Sequence, residues 1–444
     1  MDGKYSTEIV RKPGLMTKPR IQSLLERISK ITPLPWILLG FFISYLLFFV
    51  RPIFLSSQFM QFPEYVPATG YIGEDLLQML SYSESWFAAK QTPYIDRNLY
   101  PPLASVLFTP MLGFEFSAAY KIVTLVNVLF YGLMTFVLPL RISKEKQVSS
   151  LLMIIFITGL FSYGFQFELE RGQFNVIAMA ACLLAIWIFH NHHRFRFLAY
   201  ILFTISIQLK VFPAIFIVML ITDWHDWKNN IKRFVGLGAA NFALFFILGP
   251  SVFVDFLRAI KAQSVNPSIW SGNHSIRSFV TSISKTATQT GWSWIDHYSG
   301  WVQLAFLAMI ALCLLLIMIQ AYRQKQTGIN SHLLLACTIG ALLIPPVSHD
   351  YKLSILAAPV AILLSDVSYF SEGATRSRRH FVIMMLVLIL STAYSTTLFS
   401  YTHKPLTLAS NFPALITMML VTTCLSIMSG LSFVRKDSES QDTI

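Results

Sequence analysis

Charged side chains are scarce in this sequence. They make up 13% of its 444 residues, about half the roughly 25% of a typical soluble domain. That deficit excludes an ordinary soluble globular protein and a disordered chain. Cysteine is scarce as well. The four present, Cys182, Cys313, Cys337 and Cys424, all lie inside apolar runs. They lack metal-ligand spacing and read as reduced core thiols, so a disulfide-rich secreted domain is excluded too. No P-loop, no glycine-rich dinucleotide fingerprint and no HExxH occurs, which leaves nucleotide-driven and zinc chemistry without support. There is no repeat of fixed period and no low-complexity segment.

What is abundant is apolar surface. At 55% of 444 residues, about 244 are apolar or aromatic. Twelve membrane helices of roughly 20 residues would use about 240. The apolar segments are Leu, Ile and Phe runs rather than short alternating strands, which argues against an outer-membrane barrel. The expected fold is all-α, a polytopic transmembrane bundle of about 12 membrane helices.

The formal net charge is +12, and its cations fall between the apolar runs. The positive-inside rule explains that better than a nucleic-acid partner does. Residues 1–31 carry Lys4, Arg11, Lys12, Lys18, Arg20, Arg27 and Lys30, which places segment 1–35 in the cytoplasm. The first apolar run begins only near Trp36, so no cleavable leader is expected. Spans are expected at 36–54, 119–140, 149–166 and 174–190, and again at 234–250, 302–322, 332–346, 353–369, 381–399 and 411–434. The stretch 197–222 has basic flanks on both sides and Lys210 with Pro213 in its middle. One crossing would break the charge rule, so two short helices are expected to form a hairpin broken near Lys210. With that hairpin, 22 of 34 Lys and Arg residues fall on the cytoplasmic side, against 11 on the far side. This bias supports the alternation. Residues 36–434 then form one transmembrane domain with two large extracytoplasmic loops, 55–118 and 251–300, and a cytoplasmic tail, 435–444. Trp86, Trp270, Trp292, Trp294 and Trp301 lie in or beside those loops, as interface-anchoring aromatics would. The expected location is the cell membrane, with multiple passes and membrane lipids as neighbours.

Charges within or at the edge of a membrane are costly and mark function. Nearly all the unusual ones fall on the far side: Glu74, Asp75, Arg97, Glu168, Glu170, Arg171, Lys210, His274, Arg277, His349, Asp350 and Lys352. One polar cavity open to that side would account for them, and scattered interface residues are the plainer alternative. Asp75 could be a general base for an incoming hydroxyl. Locally it reads better as the N-cap of a helix over 76–89. Tyr100-Pro101-Pro102 bars helix continuation and would hold Arg97 and Tyr100 at the surface. Arg171, in Glu170-Arg171-Gly172-Gln173-Phe174-Asn175, opens the fourth span, where the helix dipole opposes a cation unless an anion is near. Gln173 and Asn175 lie two apart and do not share a helix face. Lys210 needs a counter-charge or a wet cavity. His349-Asp350-Tyr351-Lys352 offers an imidazole beside a carboxylate and a cation, or a simple polar turn. Asn273-His274-Ser275 fits the N-glycosylation pattern.

Together these pieces resemble the GT-C superfamily of glycosyltransferases, specifically glycosyltransferase family 87. The resemblance runs over roughly 70–355. It rests on Asp75 followed by Pro93-Tyr94 and Tyr100-Pro101-Pro102-Leu103, then Gly172-Gln173-Phe174-Asn175, then Lys210-Val211-Phe212-Pro213. Asn273-His274-Ser275 and Pro345-Pro346-Val347-Ser348-His349-Asp350-Tyr351 complete it in order. Many members carry a Trp and paired His where this chain has Ser348 to Lys352. The resemblance implies a polyprenyl-phosphate sugar, of mannose or arabinose type, as donor and a lipid or glycan acceptor on the extracytoplasmic face. It implies Asp75 as base, with Glu74 beside it as a second acid, and inversion at the anomeric carbon. Arg171, Lys210, His349 and Lys352 would face the leaving phosphate, with Arg277 in reserve, and Tyr100, Gln173, Asn175, Asn273 and His274 would complete the site. No cofactor and no metal are expected. A transporter or flippase of lipid-linked sugars is the alternative, since a buried Lys and a broken helix pair suit it also.

Overall fold

The computed structural model describes residues 72–94, 98–142, 148–160, 162–265, 272–289, 291, 294–365 and 415–428. The expected spans 36–54 and 381–399, the segments 1–35 and 435–444, and Arg97 lie outside these. Among the described residues the chain is helical throughout, with a single isolated bridge between Asn273 and His349.

The first large loop is itself helical. It holds α1 (Glu74–Phe87) and α2 (Pro102–Phe108). Pro102 stands at the first turn of α2, where its missing N–H costs nothing. Helix α3 (Phe116–Ile142) is long and apolar enough to cross a membrane. It carries a π-helical segment at Leu133–Val137 just before Pro139, where a proline removes one ladder donor. The expected third span, 149–166, is instead two helices. α4 (Val148–Leu160) ends before Ser162, which caps α5 (Tyr163–Arg171) by accepting from Phe165 N at 3.3 Å. Helix α6 (Asn175–Asn191) follows after three residues and is bent 112° from the Gly164–Arg171 segment of α5. The left-handed Gly172 makes that corner, with φ 65°.

Helix α7 (Arg196–Leu209) stops at Lys210, whose backbone is extended. A 3-10 helix, Phe212–Leu220, runs back. The break is a hairpin by contact. Lys210 reaches Gln173 at the start of α6, whereas Met219 O accepts from His190 Nε2 at 2.8 Å at the end of α6. Pro213 helps keep the returning 3-10 segment from continuing α7.

Helix α8 (Trp227–Leu244) starts seven residues before the expected 234, with Asp226 accepting from Asn229 N at 3.4 Å. The second large loop is also helical, with α9 (Pro250–Val265) and α10 (Ile276–Gln289). Helix α11 (Trp294–Arg323) supplies the second segment, Asp296–Arg323, of membrane-spanning length and apolarity. Then come α12 (Ser331–Leu343), capped by Asn330, a 3-10 helix at Asp350–Leu356, α13 (Ala357–Ser365) and α14 (Leu415–Met428).

Burial separates the inner helices from the outer ones. Helix α12 and helix α13 are buried on every side, and α6 nearly so, the mark of helices at the centre of a bundle. Helices α3 and α11 expose Leu125, Leu129, Leu312 and Leu315. Large exposed apolar residues on long apolar helices fit a lipid-facing surface. Two or three clear membrane-crossing segments are thus present among the described residues.

Candidate active site

The site forms where α1, the α5–α6 corner and the α7 break meet. Two glycines make the approach possible. Gly73 caps α1 with φ 78°, and its N–H donates to Glu170 O at 2.7 Å. A Cβ on Gly73 would stand 2.8 Å from the Tyr120 ring, and one on Gly172 would stand 2.8 Å from Leu76 Cβ and 3.3 Å from Gly73 Cα. No other residue fits a positive φ and so close a contact. Asp75 therefore lies in the first turn of α1, one residue inside its start, and is not the N-cap.

That contact delivers Asp75 to Arg171 and Gln173. The Arg171 guanidinium ion-pairs with both Glu74 and Asp75, and its Nε donates to Asp75 Oδ1 at 3.1 Å. Arg171 ends α5 and does not open α6. A cation is favoured at a helix C-terminus, so the expected dipole conflict does not arise. Asp75 Oδ2 accepts from Gln173 Nε2. Gln173 Oε1 accepts from Lys210 Nζ at 2.7 Å. One amide thus joins the carboxylate to the half-buried lysine. Gln173 lies before the first residue of α6, so the helix-face argument does not govern it.

Lys210 is flanked by aromatic faces, with Nζ 4.3 Å from the Tyr100 ring centre and 4.5 Å from that of Phe174. Such contacts stabilise a desolvated cation. The Tyr100 hydroxyl accepts from Gln173 Nε2 at 3.1 Å. Its loop is locked in place. Tyr94 OH donates to Tyr100 O at 2.7 Å, Asn98 Nδ2 donates to Pro93 O at 3.0 Å, and Tyr100 N donates to Asn98 Oδ1 at 2.9 Å. Burial pushes the Tyr100 phenol above its ordinary range, and the Asp75 charge adds to that.

Glu168 is buried and caps α6 from outside. It accepts from Val176 N at 2.9 Å, Asn175 Nδ2 at 3.1 Å and Ser354 Oγ at 3.2 Å. Asn175 is thus spent on Glu168 rather than on the Asp75 cluster.

The Asn273-His274-Ser275 segment and the Pro346 to Asp350 turn clasp each other. Asn273 Nδ2 donates to Pro346 O at 3.1 Å, while its Oδ1 accepts from Ser348 N at 2.9 Å. His274 N donates to Ser348 O at 2.8 Å, and the His274 imidazole pairs with Asp350. Asn273 is fully buried, so it is a structural residue and not an accessible glycan acceptor. The clasp presents His349. Burial lowers the His349 imidazole to about 4; Asp75 opposes this, and Lys210 and Arg171 reinforce it. His349 shares the field of the cluster, and its lowered imidazole favours the neutral form at neutral pH.

Two expected cations stand apart from the bonded cluster. Lys352 Nζ donates to Ala341 O at 2.8 Å in the last turn of α12 and lies over the Phe212 ring. That bond satisfies a helix-end carbonyl. Arg277 sits in the first turn of α10 and forms no ion pair among the described residues. The sequence reading assigned no role to Phe174, Asn98 or Ser354. Glu168 was expected as an odd charge and a possible counter-charge for Arg171, not as a cap; a carboxylate a few residues ahead of a helix lacking its own cap was the available signal. Among the described residues, no group of three or more His, Cys, Asp or Glu could hold a metal ion.

No curated protein matches the chain. The family model for glycosyltransferase family 87 matches residues 98–346. Gln173, Lys210 and Asn273 lie inside that match, whereas Asp75 and His349 lie outside it. The match spans more than half of the 444 residues, and the chain belongs to glycosyltransferase family 87 and is a membrane glycosyltransferase.

Proposed function

We propose that this glycosyltransferase moves a sugar from a polyprenyl-phosphate donor to a hydroxyl of a lipid or glycan acceptor on the extracytoplasmic face, with Asp75 as general base. The observation that carries the reading is the single Gln173 amide shared by Asp75 and Lys210. It holds an acid and a cation side by side, as a displacement at an anomeric carbon requires.

The acceptor oxygen attacks the anomeric carbon as the bond from that carbon to the phosphate oxygen breaks. The electron pair leaves with the polyprenyl phosphate, and the hydroxyl proton passes to Asp75. A carboxylate has about four lone-pair positions, so Asp75 retains acceptor capacity beside Arg171 and Gln173. The leaving phosphate gains charge in the transition state, where fixed cations act most strongly. Lys210 fits that role as a point charge with three donors, one of them already on Gln173. Arg171 fits better as the group that orients Glu74 and Asp75. His349, neutral, is suited to a hydrogen bond with the substrate rather than to charge neutralisation. One-step displacement gives inversion.

The test uses full-length protein in lipid, a panel of radiolabelled polyprenyl-phosphate sugars, mannose and arabinose types first, and a membrane lipid extract as acceptor. Wild type is expected to transfer, and Asp75→Asn to lose about 10²-fold or more, the scale of general-base catalysis. Undiminished transfer by Asp75→Asn would move the base to Glu74 or elsewhere. A product retaining the donor's anomeric configuration would overturn the one-step displacement.

A further inference from the structure

The end of the bundle opposite the candidate site carries a second concentration of charge. Helix α6 begins beside Gln173 and ends at Asn191. Its 17 residues span about 25 Å at 1.5 Å per residue, close to the roughly 30 Å of a bilayer's hydrocarbon core. At that far end two guanidinium groups share one aromatic ring. Arg196 Cζ is 4.9 Å and Arg233 Cζ 4.8 Å from the centre of Phe189.

Neither arginine has a carboxylate partner among the described residues. Arg233 donates only to neutral oxygens: Leu220 O at 2.6 Å, Asn230 Oδ1 at 2.9 Å and the Tyr200 hydroxyl at 3.2 Å. Arg196 Nε donates to Phe189 O at 3.4 Å. Arg194, Lys228 and Lys232 are exposed in the segments that carry this pair, the turn before α7 and the first turns of α8. The neighbouring acids among the described residues are Asp223 and Asp226, and Asp226 is engaged in capping α8. Cations therefore exceed acids by five to two in residues 192–233, Lys210 apart because it lies at the other end of α7. Beside them Phe195, Phe197 and Trp227 are 58%, 74% and 62% exposed.

Uncompensated cations mixed with exposed aromatic rings suit one environment, the headgroup layer of a bilayer. Paired guanidinium groups held by neutral acceptors suit a phosphate diester, which accepts two parallel N–H bonds. We infer that the Phe189, Arg196 and Arg233 cluster with Arg194, Lys228 and Lys232 is a binding surface for anionic phospholipid headgroups in the leaflet opposite the candidate active site. The partner is chosen by charge complementarity and by the depth of the patch along α6.

The inference is independent of the transfer chemistry, and so is its test. Full-length protein in detergent is titrated with phosphatidylglycerol and, separately, with phosphatidylcholine, and bound lipid is read by native mass spectrometry. Phosphatidylglycerol is expected to bind about tenfold more tightly or better, since each cation near an anionic surface contributes several-fold. The triple variant Arg194→Gln, Lys228→Gln, Lys232→Gln alters only exposed side chains and is expected to abolish most of that preference. Arg258→Gln, on the exposed surface of α9, is expected to leave it intact. A second pair, Arg196→Gln and Arg233→Gln, tests the phosphate contact itself, with helicity checked by circular dichroism. Equal retention of the two lipids by wild type would overturn the inference. So would a preference that survives in the triple variant and in the arginine pair.

Discussion

Replacing Gly172 by alanine tests the geometry on which the site depends. The residue sits at φ 65°, a conformation that costs a non-glycine residue about 1–2 kcal/mol. The new Cβ would also lie 2.8 Å from Leu76 Cβ and 3.3 Å from Gly73 Cα. Neither neighbour is the free end of a flexible chain, so the α5–α6 corner and α1 must separate by several tenths of an ångström. Overpacking of that kind costs a further 1–3 kcal/mol or so. The expected loss is about 2–5 kcal/mol. The displaced groups are those that bracket Gly172, namely Arg171 and Gln173, which hold Asp75. A misplacement near 1 Å can lower a rate about 10²-fold. Gly236 is the matched control. It lies inside α8, and an added Cβ meets nothing within 4 Å, so Gly236→Ala should be neutral or stabilising by up to about 1 kcal/mol. Both variants are compared with wild type by thermal unfolding in nanodiscs and by transfer rate. Equal melting temperatures and equal rates for the two alanine variants would refute the reasoning.

Glu168→Gln keeps the shape but puts an amide NH2 among groups that already donate, Val176 N–H, Asn175 Nδ2 and Ser354 Oγ. It should destabilise by about 1–3 kcal/mol, and an unchanged melting temperature would count against Glu168 as the cap of α6. His349 has a folded-state value near 4 against an ordinary value of about 6.5. The unfolded chain therefore binds the proton first, and stability should be unaffected above about pH 6.5 and fall as pH drops towards 4, by up to about 3 kcal/mol from this group. His349→Asn should flatten that part of the melting-temperature profile, and an identical slope in variant and wild type would exclude His349 as its source. Asn273→Asp removes the donor to Pro346 O and places a charge in a fully buried position. A loss of more than about 2 kcal/mol is expected in chemical unfolding, and a wild-type midpoint would show that the clasp is not needed.

Apolar runs made the class of fold legible. Length and composition alone mark α3 and α11 as long apolar helices, and the basic flanks of 197–222 mark the break at Lys210. The corner between α5 and α6 was not legible in the same way. Residues 149–171 read as one apolar run followed by a polar edge, and hydropathy does not register a 112° bend between helices. The local signals were Ser162, a good N-cap, and Gly172, a good helix terminator. Weighted by those two residues, Arg171 falls at the end of a helix and not at the start of one. Asp75 failed as a cap for a similar reason. Gly73, two residues earlier, takes the left-handed conformation that starts α1 and contacts Gly172, a pairing between residues far apart in sequence.

The chemistry of position 173 follows from that corner. The side chain there must satisfy a carboxylate on one side and an ammonium on the other, since Asp75 and Lys210 both reach it. A second carboxylate would repel Asp75, and a second cation would repel Lys210. An apolar side chain would leave the nearby polar groups without their bonds in a place where water is scarce, the costliest outcome for a charged group. A neutral amide offers a donor and an acceptor on one rigid plane. It also leaves both charges intact, so the acid keeps the capacity to take a proton and the lysine keeps its charge. Asp75 is already paired with Arg171, and a direct Asp75 to Lys210 ion pair would commit the lysine to the same carboxylate before a substrate arrived. The amide between them separates the base from the cation while fixing their distance, which is the arrangement that a hydroxyl entering on one side and a phosphate leaving on the other would require.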